Sequence, residues 1–332
     1  MTSPNRFTAP KATFARHART AALRSARRLV AIAIVGAALG SGSRADAAFL
    51  YATTYGGAVV RIAPDGTTSV VTTTVTNPYG LAVSGAGNLY VNDHLSGVTR
   101  VFTPAGVLIN TFTFVGAIPT AMTFGPDGNL YYANYGANTI RKFTASGTDL
   151  GDFATGLTGP SGLAFDAVGN LLVTNIAGNN VQKFSPAGAN LGLVVSGLNV
   201  PEDLALDSAG NLYVSNFNTN QVLKFGPTGA SLGVFASGFN QPSGLEFDAA
   251  GNLYVASYAG GSVRKFSPSG GDLGLLTTGL QTPVYLAFGP ETGPPVSAVP
   301  VPATFAAFAV GGLVLASGRR LRARGVAAST AP

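Results

Sequence analysis

Glu202, Asp203 and Glu246 are the carboxylates best placed to do chemistry, because each interrupts a repeated pattern of small or neutral residues. Asp203 occupies a position filled elsewhere by Gly80, Ala121, Gly162, Gly244 and Tyr285, and Glu246 one filled by Ala82, Thr123, Ala164, Ala205 and Ala287. A carboxylate in such a run is costly to bury unless it is paired or solvated. Hard oxygen donors of this kind suit a divalent cation such as calcium, the one cofactor the sequence points to, with Glu202, Asp203 and Glu246 as ligands. Two readings stand. The three acids form an acidic mouth that takes a cation or a polar ligand, or Glu246 is bonded to trapped water or backbone, and the second is the plainer.

A second set has the composition of a sugar-binding ring. Thr54, Asp93, Asn134, Asn175, Asn216 and Ser257 recur at one position, followed by Tyr55, His94, Tyr135, Ile176, Phe217 and Tyr258. Polar side chains beside aromatic ones bind carbohydrate by hydrogen bonds to hydroxyls and stacking on ring faces, which makes Asp93, His94, Asn134, Tyr135, Asn175, Asn216, Phe217 and Tyr258 ligand-binding candidates. The plainer alternative is that the Asn and Asp residues hold a turn through side chain to backbone bonds while the aromatics pack. His94 is the only histidine beyond residue 48 and the chain has no cysteine, so a zinc site lacks ligands and a covalent hydrolase lacks a nucleophile motif. Arg61, Lys142, Lys183, Lys224 and Lys265 form a third, basic set, read as paired with repeated acids such as Asp166, Asp207 and Asp248 rather than as an anion site.

The elements that must position these residues are repeats. Pro78, Pro119, Pro160, Pro201, Pro242 and Pro283 are spaced 41 residues apart, and Asn88, Asn129, Asn170, Asn211 and Asn252 keep the same period within Gly-Asn-Leu. A period near 40 residues built from short β runs and turns predicts an all-β, six-bladed β-propeller of four-stranded blades. In the fourth copy the strands are expected at 204–206, 212–215, 221–225 and 231–236, punctuated by Gly, Pro and Asn. The sixth Pro-opened strand ends near Gly289 with no partner after it, while Leu50–Tyr55 and Val60–Gly66 match the second and third strands. The first and last strands therefore share one blade and close the ring, which hides its sheet edges.

Charge separates this array from its flanks. Residues 49–299 hold eight Lys/Arg against thirteen Asp/Glu, whereas residues 1–48 hold eight against one and residues 300–332 four against none. The basic pI of the whole chain thus belongs to the tails and is no argument for nucleic-acid binding. Residues 1–48 read as an export signal: Arg16, Arg19, Arg24, Arg27 and Arg28 precede the apolar run 29–39, and Ala45-Asp46-Ala47 offers a cleavage pattern. The general secretory route is favoured, with Arg27-Arg28 leaving a twin-arginine route open. A Gly/Pro-rich linker at 291–298 leads to residues 299–332, where Val299-Pro300-Val301-Pro302, an apolar stretch 303–316 and Arg319, Arg320, Arg322 and Arg324 follow in order. As a helix those 14 apolar residues span about 21 Å, short of a ~30 Å hydrocarbon core unless their flanks contribute. The arginines would stay cytoplasmic, leaving the propeller outside.

That C-terminal order resembles the PEP-CTERM sorting signal of Gram-negative bacteria, with Val301 where the usual core has Glu. The resemblance implies export machinery and an exosortase as partners, and a membrane contact through this segment. The repeats, read as Pro-x-Gly-Leu-Ala-Phe-Asp-x-x-Gly-Asn-Leu-Tyr-Val at 160–173 and 242–255, resemble NHL and SMP-30/gluconolactonase-like six-bladed propellers. In the latter a divalent metal sits over the channel on carboxylate and Asn side chains just after the blade-opening Pro. Those positions are Tyr79, Thr120, Ser161, Glu202, Ser243 and Val284 here, and Glu202 alone matches. The expectation is an exported, surface-associated binding or scaffold module for extracellular polysaccharide or a surface protein. The alternative is a divalent-metal-dependent lactonase or lyase with Glu202 as base.

Overall fold

The structure is a computed structural model that describes residues 48–114 and 118–289. The export signal, the linker and the sorting signal expected from the sequence lie outside the described residues; among the described residues no helix is long and apolar enough to cross a membrane.

Six antiparallel four-stranded sheets form six blades. Each begins with an inner strand at one of the periodic prolines: Pro78–Val83, Pro119–Phe124, Pro160–Phe165, Pro201–Leu206, Pro242–Phe247 and Pro283–Gly289, called blades 1 to 6 below. In the fourth the inner strand starts three residues earlier than the expected 204, with a register shift between Pro201 and Leu204. Proline has no N–H to give the ladder, and the intervening Asp203 N–H donates instead to Ser215 Oγ of the second strand. The other three strands of that blade, Leu212–Asn216, Gln221–Phe225 and Ser231–Ser237, fall where the sequence places them. Closure is also as expected: the last inner strand pairs antiparallel with Phe49–Thr54, Leu50 facing Phe288 and Ala52 facing Leu286.

The repeated Asp-x-x-Gly-Asn segment makes the turn between first and second strands. Gly169, Gly210 and Gly251 take φ of 84°, 78° and 80°, a conformation strained for any residue with a Cβ. Asp166, Asp207 and Asp248 each accept the amide of the Asn four residues on. Their second oxygens meet Lys183, Lys224 and Lys265 at 2.8, 3.8 and 3.5 Å, while Asp127 meets Lys142 at 2.7 Å. The basic set is therefore paired at four of its five positions, and Arg61 lies over the Phe49 ring.

Blades are joined by a recurring contact. The second-strand tyrosine of one blade meets the last aromatic of the next inner strand edge to face: Tyr90 with Phe124, Tyr131 with Phe165, Tyr213 with Phe247 and Tyr254 with Phe288, at 4.9 to 5.1 Å. Where the second-strand residue is Leu172, its partner in the next blade is Leu206, and the two pack in one apolar cluster.

Candidate functional site

The residues one place after each blade-opening proline ring the channel. Thr120 and Ser243 spend their hydroxyls on the carbonyls of Pro160 and Pro283, each at 2.9 Å, tying neighbouring inner strands together. Second-strand side chains do the same work: Asn92 accepts from the Gly80 N–H and donates to the Thr120 carbonyl, and Thr174 accepts from the Gly162 N–H and donates to the Glu202 carbonyl.

Tyr79, Ser161, Glu202 and Tyr285 are different, because they bond across the channel. Tyr79 in blade 1 donates its hydroxyl to Glu202 Oε1 in blade 4 at 2.6 Å. The Ser161 hydroxyl in blade 3 lies 2.9 Å from that of Tyr285 in blade 6 and 3.4 Å from Glu202 Oε1. With six blades, 1 faces 4 and 3 faces 6, so two crossing links close the channel. Glu202 is buried, and burial pushes its carboxyl up against the opposing pull of the Tyr79 and Ser161 hydroxyls. Tyr79 and Tyr285 are held well above the usual phenol range by burial and the nearby carboxylates, so both stay protonated and able to donate.

Further aromatic rings surround this plug. His94 stacks on Tyr79 with centroids 4.6 Å apart, and Tyr55 meets Tyr79 edge to face at 6.3 Å. Tyr258 lies close enough for Tyr55 and Glu202 to add to the upward shift that burial gives its phenol, and Phe217 leans on Tyr258 at 5.9 Å. Burial lowers the pKa of His94 despite the Pro119 carbonyl and Asp93, so the ring is neutral. A carbonyl only accepts, so Nδ1, 2.9 Å from Pro119 O, carries the proton.

Of the ring proposed from sequence, the structure brings His94, Phe217 and Tyr258 to this mouth and engages four polar members in bonds to turn amides. Asp93 accepts the amides of Leu95 and Ser96, Asn134 those of Ile118 and Ala137, Asn175 that of Thr158 and Asn216 that of Asn199. All four are buried and hold the turns of their own blades. Tyr135 packs over the Gly159 backbone. The sequence places Tyr79 at a position where a metal ligand is expected and Tyr285 at the position equivalent to Asp203, and gives neither a role in the site. The signal was present in Tyr285, which breaks the same Gly/Ala position as Asp203.

The three acids separate. Asp203 and Glu246 line a cavity of about 500 Å³ between the inner strands, of which Glu202 is not a wall. Asp203 is buried, accepts the Leu245 N–H at 2.9 Å, and is pushed up to about 7 by burial. Glu246 is pushed up to about 8 by burial and by Asp203. Among the described residues no group of three or more His, Cys, Asp or Glu is arranged to hold a metal ion. A cation at this level would have Glu202 or the Asp203–Glu246 pair, and not all three.

These features define a six-bladed β-propeller with an aromatic mouth and a plugged channel. The virginiamycin B lyase family model matches residues 32–265, and the chain belongs to that family. Solved structures agree on the fold. A protein of unknown function from Bacteroides caccae aligns with a TM-score of 0.60 at 17% identity, covering 73% of this chain and 99% of that one. A nidogen/laminin complex gives 0.62 at 19% identity, with 73% and 98% covered. Virginiamycin B lyase from Staphylococcus aureus gives 0.53 at 18% identity, with 64% and 77% covered. Comparison with curated proteins gives no match.

Proposed function

We propose that this protein is an exported binding module whose ligand rests on the aromatic mouth formed by Tyr55, Tyr79, Phe217 and Tyr258, with extracellular polysaccharide as the ligand class. The observation that carries this is the cross-channel plug: Tyr79–Glu202 and Ser161–Tyr285 occupy the groups that would otherwise face a reacting centre. What remains at the mouth is aromatic surface, suited to stacking on sugar rings. One propeller of this fold occurs in a nidogen/laminin complex, that is, in protein–protein recognition. The export signal at 1–48 and the sorting segment at 299–332, with its arginines on the cytoplasmic side before processing, set the propeller outside the inner membrane. The test is a glycan array followed by calorimetry on the full chain. Saccharide binding that weakens at least tenfold in Phe217→Ala and Tyr258→Ala supports the reading, and binding unchanged in both overturns it.

A second reading is a lyase, favoured by family membership and by Glu202, a carboxyl with raised pKa bonded to a phenol. A catalytically inactive virginiamycin B lyase from Staphylococcus aureus has been solved with quinupristin, which makes that compound the substrate to try. The products of an elimination sum to the mass of quinupristin, whereas hydrolysis adds one water, so mass spectrometry separates the two. Turnover lost in Glu202→Gln would replace the binding reading with this one.

A further inference from the structure

Below the tyrosine plug, exposure along the inner strands rises in one direction. The first four residues are buried and the last two half-buried in Pro119–Phe124, Pro160–Phe165 and Pro242–Phe247. The cavity of about 500 Å³ is therefore roofed at the Tyr285 level and open to solvent at the end marked by Phe124, Phe165, Phe247 and Phe288. Its size is that of a small organic molecule. Its lining mixes Ala, Val, Leu, Met and Phe with polar Thr123 and Tyr285 and with the carboxyls of Asp203 and Glu246 from adjacent blades, and Leu163, Leu204 and Leu245 are themselves buried.

Neither acid is a product of the repeat, since every other blade has a non-acidic residue at its position. Among the described residues neither is neutralised, since the seven ion pairs there use other acids. The groups nearest the pair are acids or neutral donors. Asp203 has the Leu245 and Leu204 amides and the Glu202 carboxyl beside it, Tyr285 feels both Asp203 and Glu202, and Glu246 has Asp203 and the Phe288 amide. Two carboxyls facing one cavity with no basic partner among the described residues are held partly protonated, and a cation entering that space would relieve them.

We infer that this cavity is a second ligand site, distinct from the aromatic mouth, that takes a small organic ammonium ion, its charged head on Asp203 and Glu246 and its apolar body toward the half-buried Phe residues at the open end. The donor count, two carboxyls in the cavity wall, favours such a cation over a bare metal ion, which needs six or more oxygens. Because the carboxyls must ionise to receive it, binding strengthens as pH rises.

The experiment is calorimetry on the full chain with phenethylamine, its neutral isostere 2-phenylethanol, and calcium chloride. Expected at pH 8.5 are amine binding at least tenfold tighter than the alcohol, a tenfold or greater loss in Glu246→Gln, and amine affinity that falls at least fivefold between pH 8.5 and pH 6. If Glu246→Gln fails to fold, the pH series on the unaltered protein decides alone, with the alcohol as the control that should not change. Equal binding of amine and alcohol, no amine binding, a flat pH profile, or calcium binding that displaces the amine each overturn the inference. Phe217→Ala should leave amine affinity unchanged, which keeps this result independent of the ligand at the mouth.

Discussion

The Tyr79 hydroxyl meets Glu202 at 2.6 Å although 123 residues separate them in the chain, because ring closure places blade 1 opposite blade 4. The contact satisfies a buried carboxylate that otherwise has the Ser161 hydroxyl, at 3.4 Å, as its partner. Tyr79→Phe removes the donor and leaves the acceptor, so it should destabilise the fold by about 1–3 kcal/mol. The loss should be larger at pH 8 than at pH 5, where Glu202 is more readily protonated. Denaturant unfolding checks this, and a cycle with Glu202→Gln should show coupling between the two sites.

The cavity acids make stability depend on pH in the direction opposite to most carboxylates. Asp203 and Glu246 titrate at about 7 and about 8 in the folded chain, above the value of roughly 4 expected when unfolded. Their protonated forms favour the fold, so that contribution is fully present below about pH 4 and is lost as pH rises through 7 and 8. The turn acids behave oppositely. Burial alone would raise Asp127, Asp166, Asp207 and Asp248, but bonds to Asn side chains and backbone amides, joined by a nearby lysine at Asp127, Asp166 and Asp248, outweigh it and leave them lowered. Their contribution holds above about pH 4 and is lost as pH falls further. Melting temperature should therefore peak in the mildly acidic range and fall toward pH 8.5, and Glu246→Gln should flatten the alkaline limb without altering the acidic one.

How far sequence carried can be read from two pairs of residues. Leu172 and Leu206 depart from the repeat in adjacent blades, and the structure shows why both change: they replace the Tyr–Phe contact that joins four other pairs of blades. Local period, turn glycines and closing strands were all visible in this way, because they rest on short-range pattern. Tyr285 departs from its repeat position too, but its meeting with Ser161, like that of Tyr79 with Glu202, depends on side chains reaching across a ring. A linear repeat does not show that reach. The same limit applied to Asp93, Asn134, Asn175 and Asn216, whose spacing fits a ligand ring and a set of turn holders equally well.

Asp248 separates the worth of a turn from that of a surface ion pair. Its Oδ1 accepts the Ala250 and Asn252 amides, and its Oδ2 takes the Asn252 side chain, the Tyr254 hydroxyl and Lys265. Asp248→Ala should cost about 1–3 kcal/mol by leaving those donors unpaired. Lys265→Met removes only the partly exposed 3.5 Å pair and the ammonium over the Tyr254 ring, while keeping the apolar stem. Its cost should stay below about 1 kcal/mol and shrink further in high salt. Equal losses in the two variants would show that the lysine, and not the turn, carries the stability.

Gly80 tests how closely the inner strands approach. Its backbone is not in the left-handed region, so an alanine there is conformationally acceptable, yet a Cβ would stand 2.2 Å from the Thr120 carbonyl oxygen and 2.7 Å from Asn92 Nδ2. Both neighbours are fixed, since Asn92 clamps the Gly80 amide to the Thr120 carbonyl, and neither can yield without opening the seam between blades 1 and 2. Gly80→Ala should therefore destabilise by about 1–3 kcal/mol through overpacking. Blade 2 already carries Ala121 at the equivalent position, so Ala121→Gly should produce no comparable relief and a loss of at most about 1 kcal/mol. Thermal unfolding of the two variants side by side checks the contrast: a neutral Gly80→Ala would mean that the seam is looser than these distances require.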